Sequence, residues 1–236
     1  PESRRLPRRF LFLFSDTGGG HRASGQAITE ELNRLYGASA AVEMVDIFVE
    51  MERWPFYRFP DWYPVLVGFR GIPWAVSYYL SDGVKLMKTM SKLVWPYARS
   101  AMCDVLRQHP ADVIVSLHPI PNYALTLAVQ SMGWTTPVAI VAVDLVTVHA
   151  GWLTPGAQLY LMASEAAKAR ALERGLPEER VHAVGMPTRH AFVTSMHVDK
   201  DRAREELGLP PDRPVVLMVG GGEGMGPLSQ VVKALA

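Results

Sequence analysis

The chain has 236 residues, 49% of them apolar, with 24 Lys/Arg against 23 Asp/Glu and a single cysteine. That length and apolar content suit one large domain or two small ones with a substantial core, and exclude global disorder. The near-zero net charge argues against nucleic acid as a partner, and one cysteine excludes an intrachain disulfide.

Four arginines (Arg4, Arg5, Arg8, Arg9) precede the apolar run Phe10–Phe14. A Gly-rich loop follows it instead of a cleavage site, so the run is predicted to be a buried strand and not a signal peptide. A helix is predicted over 22–35 and a strand over 41–47. From 51 to 107 no strand pattern occurs. Met87, Met90, Val94, Ala98, Ala101 and Val105 keep helical spacing there, with Pro96 expected to kink the helix. Further strands are predicted over 113–117, 138–143, 159–162, 181–184 and 215–219, with helices over 122–131, 165–174 and 200–207. Several strands are apolar throughout, as a parallel sheet covered on both faces requires. The alternation predicts an α/β, doubly wound, Rossmann-like domain with a helical insertion at about 51–107. Cys103, in a helical pattern, reads as a small buried residue. No apolar run reaches the length of a membrane span.

A boundary is expected near Val198, dividing the chain into 1–198 and 199–236. The proline-rich stretch 208–214 and the strand after it look like the start of a second strand–loop–helix unit. The chain begins at Pro1 and stops within a helical pattern at Ala236, as a piece of a longer protein does. Asp199 and Asp201 form a literal Asp-x-Asp, but in front of Arg202–Leu207 they read as a helix N-cap and first-turn acids, not as a metal site.

Two Gly-rich loops carry the functional signal. The first, Ser15-Asp-Thr-Gly-Gly-Gly-His-Arg-Ala-Ser24, joins a strand to a helix. Glycines there allow close backbone approach, and the helix N-terminus favours an anion. The pattern is neither Walker A nor the dinucleotide fingerprint. His21 lies at the C-terminal end of strand one, where open α/β sheets bind ligands, and it can exchange a proton near neutral pH. Position alone fits an exposed helix-start histidine equally well. The second loop comprises Gly220, Gly221, Gly222, Glu223, Gly224 and Met225, with Pro227 suited to a first helical turn.

The insertion has its own character. Residues 54–79 hold ten of the 22 aromatics, and Lys85, Lys88 and Lys92 are spaced to share one helix face. Trp and Tyr favour the headgroup region of a bilayer, and a basic face attracts anionic lipid. The competing description is an aromatic mini-core with a solvated basic face.

The two loops, with Trp54-Pro-Phe56, Ser116-Leu-His-Pro119, Val143-Asp-Leu145 and Gly185-Met-Pro-Thr-Arg189, closely resemble the motifs of the plant-type monogalactosyldiacylglycerol synthase family over nearly the whole chain. The resemblance implies a GT-B fold of two Rossmann-like domains and transfer of galactose from UDP-galactose to diacylglycerol with inversion. By resemblance, His21 touches the donor side and serves as general base, Arg189 lies near the nucleotide, and Gly220 to Met225 cradle UDP. Asp144 and Asp16 are the alternative bases. His118 and His149 are weaker candidates for the cleft lining. Pro55 within Trp54-Pro-Phe56, and Trp152, match positions linked to phosphatidylglycerol, an anionic lipid activator, although Ala150 and Gly151 before Trp152 depart from the family pattern.

The resemblance thus implies an acceptor and membrane-side domain (1–198) and a UDP-sugar-binding domain beginning in 199–236, on a peripheral protein of a cytoplasmic or plastid membrane face. No metal or other cofactor is expected beyond the UDP-galactose donor and an anionic lipid activator. The expected partners are diacylglycerol and anionic phospholipid, with a homodimer left open. The rival readings are a UDP-glucose-dependent diacylglycerol transferase, a lipid-linked glycan transferase, or a non-catalytic membrane-binding module.

Overall fold

The computed structural model describes residues 6–17, 19–68, 72–220 and 228–235. Six strands, β1 (Arg8–Phe14), β2 (Ala40–Asp46), β3 (Val113–Ser116), β4 (Val138–Ala142), β5 (Leu159–Met162) and β6 (Val181–Ala183), form one sheet in the order β2-β1-β3-β4-β5-β6. Every pairing is parallel, and Phe10 of β1 registers with Val42 on one side and Val113 on the other. The order reverses between β1 and β3, which makes their C-terminal ends the topological switch point.

The two faces of the sheet explain its uniform apolarity. Leu11 and Leu13 of β1 point into a core with Ile114, Ile140, Met102, Leu106 and Leu125. Phe12 and Phe14 point the opposite way, onto Val115, Val141 and the helix residues Ile28 and Leu32. A strand whose alternate residues both meet helices gains from an apolar side chain at every position. No described residue after Val181 is buried.

Helix α1 (Gly20–Tyr36) follows β1 and the short α2 (Ile47–Glu50) follows β2. Asp46 caps α2 by accepting the Phe48 and Val49 amides, and it also accepts the Asp16 N–H at 2.9 Å, tying the first Gly-rich loop to its neighbour. Three helices, α3 (Phe59–Gly68), α4 (Ile72–Ser81) and α5 (Val84–Gln108), form the expected insertion. Helix α5 runs through Pro96 as one element. Its C-terminal half buries Ala98, Ala101, Met102, Cys103, Val105 and Leu106, while Lys85, Lys88 and Lys92 on its N-terminal half are exposed.

The turn between α4 and α5 is pinned to the sheet side. Asp82 accepts from Arg170 at 3.3 Å, Arg174 at 3.1 Å and the Ala150 amide at 2.9 Å, and its carbonyl accepts Arg174 Nη1 at 2.9 Å. Helices α6 (Asn122–Ser131), α7 (Glu165–Glu173), α8 (His190–Ser195), α9 (Lys200–Glu206) and α10 (Leu228–Leu235) complete the chain. Asp199 caps α9 through the Asp201 and Arg202 amides, which bears out the N-cap reading of that Asp-x-Asp.

One predicted element is absent. Residues 215–219 make no sheet ladder, and Val216, Leu217 and Val219 are 61, 84 and 79% exposed. Apolar composition alone does not make a strand, because its amides and carbonyls need a neighbouring backbone. No described strand lies beside this segment.

Candidate active site

The switch point brings the loops after β1 and β3 together. Gly19 adopts φ 75°, a left-handed conformation natural to glycine, and starts α1, so His21 sits in its first turn. The His21 ring meets His118 edge to face at 4.6 Å between centroids and lies 5.9 Å from Trp152. His118 is buried. Its Nδ1 accepts the Ile120 amide at 3.4 Å, which leaves Nε2–H to donate to Thr17 Oγ1 at 3.1 Å. That network assigns the tautomer of a neutral ring. A second histidine is fixed in the same way. His149 Nδ1 accepts the Gly151 amide at 3.1 Å, so its Nε2–H reaches Ser81 Oγ at 3.1 Å. Ser81 in turn donates to the Ser77 carbonyl at 2.6 Å.

Gly151 is where these parts pack closest. A Cβ there would lie 2.8 Å from the Pro119 carbonyl oxygen and 3.0 Å from Pro119 Cβ. Its own carbonyl accepts from Asn122 Nδ2 at 3.0 Å and from Thr154 Oγ1 at 3.0 Å. Gly151 is therefore the residue that lets the turn before Trp152 rest on the His118–Pro119 loop.

Above the two histidines lies a cavity of about 500 Å³ between the sheet end and the insertion. Its walls are mostly apolar, with Phe48 and Phe59 near His118 and Met87, Met90, Val94 and Trp95 from α5. Polar groups gather at the sheet end: His21, Thr17, His118, Asp144 and His149. A concave apolar space with a few converging polar groups suits an amphipathic small molecule.

The titratable groups differ in what they offer. Burial lowers the His21 pKa to about 4, with the Leu117 carbonyl acting in the opposite direction. Burial likewise lowers His149, and holds His118 well below its ordinary value with help from His21. All three rings are neutral at pH 7, and His21 is a weak base. Its Nδ1 is buried with no hydrogen-bond partner among the described residues. Asp16 is paired with Arg22, which lowers its pKa and removes it from proton chemistry. Asp144 is raised by burial, against lowering contributions from the His149 amide and Trp152.

The other predicted site residues land as follows. Arg189 is exposed and donates to Gln26 of α1 at 2.6 Å, on the first-loop helix. Gly220 is half-buried, and Gly221 to Pro227 lie outside the described residues, as do Gly18, Phe69 and the side chain of Trp74. Trp54 is 63% exposed next to Pro55, and its carbonyl accepts the Tyr97 hydroxyl. Trp152 is fully buried, so the indole has no surface to offer a lipid, and its ring lies 5.9 Å from that of His21. Sequence reasoning singled out neither Asp82 nor Ser81. Their partners lie some seventy to ninety residues away, and no local pattern marks them.

This is an α/β domain of the doubly wound class, with a histidine at its switch point facing an apolar cavity roofed by inserted helices. The sequence model of the monogalactosyldiacylglycerol (MGDG) synthase family matches residues 21–188, and the chain belongs to that family. It is 34% identical to the chloroplastic MGDG synthase of Spinacia oleracea, covering 100% of this chain and 44% of that protein. It is 33% identical to MGDG synthase 1 of Arabidopsis thaliana, covering 98% and 43%. The chain thus spans less than half the length of these relatives. Among solved structures, the UDP-N-acetylglucosamine 2-epimerase of Rickettsia bellii aligns with a TM-score of 0.44 at 12% identity, over 87% of this chain and 52% of that one. A Neisseria meningitidis UDP-GlcNAc 2-epimerase aligns at 0.39 and 18%, over 75% and 46%.

Proposed function

We propose that this chain is the acceptor and membrane-side part of an inverting galactosyltransferase that moves galactose from UDP-galactose to diacylglycerol. The observation that carries the reading is the His21 ring at the polar end of an otherwise apolar cavity, in a chain of this family. Diacylglycerol has matching chemistry, with one free hydroxyl on an apolar body. In this scheme the lipid's apolar part lies under α5 and its hydroxyl reaches His21. UDP leaves from the opposite face, its charge stabilised by helix N-termini behind the Gly-rich loops. Arg189, beside α1, and Gly220 to Met225 belong to the donor side. Residues 199–236 then open a UDP-sugar domain, and the whole is a two-domain GT-B enzyme.

Membrane contact in this scheme is peripheral. No described helix is long and apolar enough to cross a membrane. Leu86, Met90 and Leu93 are exposed on the same helix as Lys85, Lys88 and Lys92, and exposed Trp54 and Trp62 lie on the insertion. Apolar groups flanked by cations suit the surface of an anionic leaflet.

The test is transfer of labelled galactose by the whole protein to diacylglycerol in phosphatidylglycerol vesicles, with UDP-glucose as the competing donor. Galactolipid as the main product supports the reading, and exclusive glucolipid overturns the donor assignment. In the same assay His21→Ala should lower kcat about 100-fold or more while UDP affinity stays within a few-fold.

A further inference from the structure

Among the described residues one carboxylate lines the cavity, and no described cation pairs with it. Asp144 stands just beyond the C-terminal end of β4, on the same cavity as His21. Its Oδ2 accepts the His149 amide at 3.1 Å. Trp152 packs behind the site, its ring 5.9 Å from that of His21, and it helps to lower the Asp144 pKa. The other charges acting on Asp144 are Asp82, already neutralised by Arg170 and Arg174, and His149, a neutral ring.

A half-buried carboxylate held this way gains no stability from an ion pair. It retains a strong acceptor facing open space, and burial raises its proton affinity. Asp16 shows the contrast, since Arg22 occupies both of its oxygens.

We propose that Asp144 is a catalytic residue, the base that binds the acceptor's free hydroxyl and removes its proton. The proposal rests on the galactosyl-transfer reading above. In the step, the hydroxyl O–H bond breaks and its proton passes to an Asp144 oxygen. The acceptor oxygen bonds to the galactose anomeric carbon. The bond from that carbon to the UDP phosphate oxygen breaks, and its electron pair leaves on UDP. His21, neutral and with no hydrogen-bond partner on Nδ1 among the described residues, orients the same hydroxyl from the loop after β1.

Two measurements test this. In the chain as it stands, methyl NMR of Met87, Met90 and Met102 reports occupancy of the cavity, and the Asp144 carboxyl carbon, assigned with Asp144→Asn, reports the hydroxyl. The ligands are 1,2-dioctanoylglycerol and its methyl ether. Both should move the methionine signals, and only the free alcohol should shift the Asp144 titration, by about half a pH unit or more. Methionine shifts with equal Asp144 titrations would overturn the proposal and spare the lipid site. No methionine response to either ligand would overturn the acceptor reading and the proposal with it.

In the whole, active protein, Asp144→Asn keeps an oxygen for the His149 amide but cannot take a proton. It should lower kcat by about 100-fold or more. Asp144→Ala should recover activity with added formate, in proportion to its concentration. Asn-variant turnover within about threefold of wild type, in an enzyme that does transfer galactose, sinks the assignment.

Discussion

The rings of His21 and His118 touch edge to face, 4.6 Å between centroids, because β1 and β3 are neighbours in the sheet. Burial keeps either ring from taking a proton cheaply, and His21 further disfavours charge on His118. His21 titrates near 4 because it is buried, against an ordinary value of 6.5. Between those values the unfolded chain binds more protons at this position than the folded one. The contribution is therefore intact above about pH 6.5 and is lost as pH falls toward 4. His21→Asn removes this liability. Urea titrations at pH 7 and pH 4 should show the variant gaining about 2 to 3 kcal/mol relative to wild type at the acid end. An unchanged gap would mean that His21 is not held neutral by burial.

Gly151→Ala places a methyl group 2.8 Å from the Pro119 carbonyl oxygen, so the backbone must move on one side of the contact. The expected cost is about 1 to 3 kcal/mol, seen as a melting temperature lower by several degrees. The disturbance should reach the His118 ring signals in NMR, because Pro119 follows His118 directly. A melting temperature equal to wild type would show that the close approach is softer than described.

Asp82→Ala leaves Arg170, Arg174 and the Ala150 amide without their shared acceptor. Breaking a mostly buried pair costs about 3 kcal/mol, discounted here for the partial exposure of the arginines to about 2. The expected signature is local. Hydrogen exchange should rise in α4 and the first turns of α5, and stay unchanged in β1 and β3. Uniform acceleration across the sheet would contradict the pinning role.

Replacing Lys85, Lys88 and Lys92 together with Gln removes three exposed charges and should leave the core untouched. At about 1 kcal/mol for each cation near an anionic surface, co-sedimentation with phosphatidylglycerol vesicles should weaken roughly 100-fold. Binding to neutral phosphatidylcholine should change little. Equal loss on both lipids would point to misfolding, and no loss on either would remove α5 from the interface.

The sheet was legible because a buried parallel strand is apolar at every position, and β5 and α6 begin and end where their patterns do. The same rule misled at 215–219, whose apolar run pairs with no described strand. His21 was legible from a Gly-rich loop after a strand. Its closeness to His118 follows from strand order, which periodicity does not encode. Asp144 stood out only as one of several carboxylates until the structure separated it from Asp16: one is paired with an arginine, the other faces a cavity. Trp152 read as a lipid-linked position, and its full burial makes any such link indirect.

Helix α5 has 25 residues, about 37 Å at 1.5 Å each, and is unbroken from the turn beside Asp82 to the core around Leu106. One end carries the lysines, the middle roofs the cavity, and the far end is set among the strands. Tied at Asp82 and embedded around Leu106, the helix is a beam held at both ends, so the clearance above His21 is set by the side chains along its span more than by tilting of the helix.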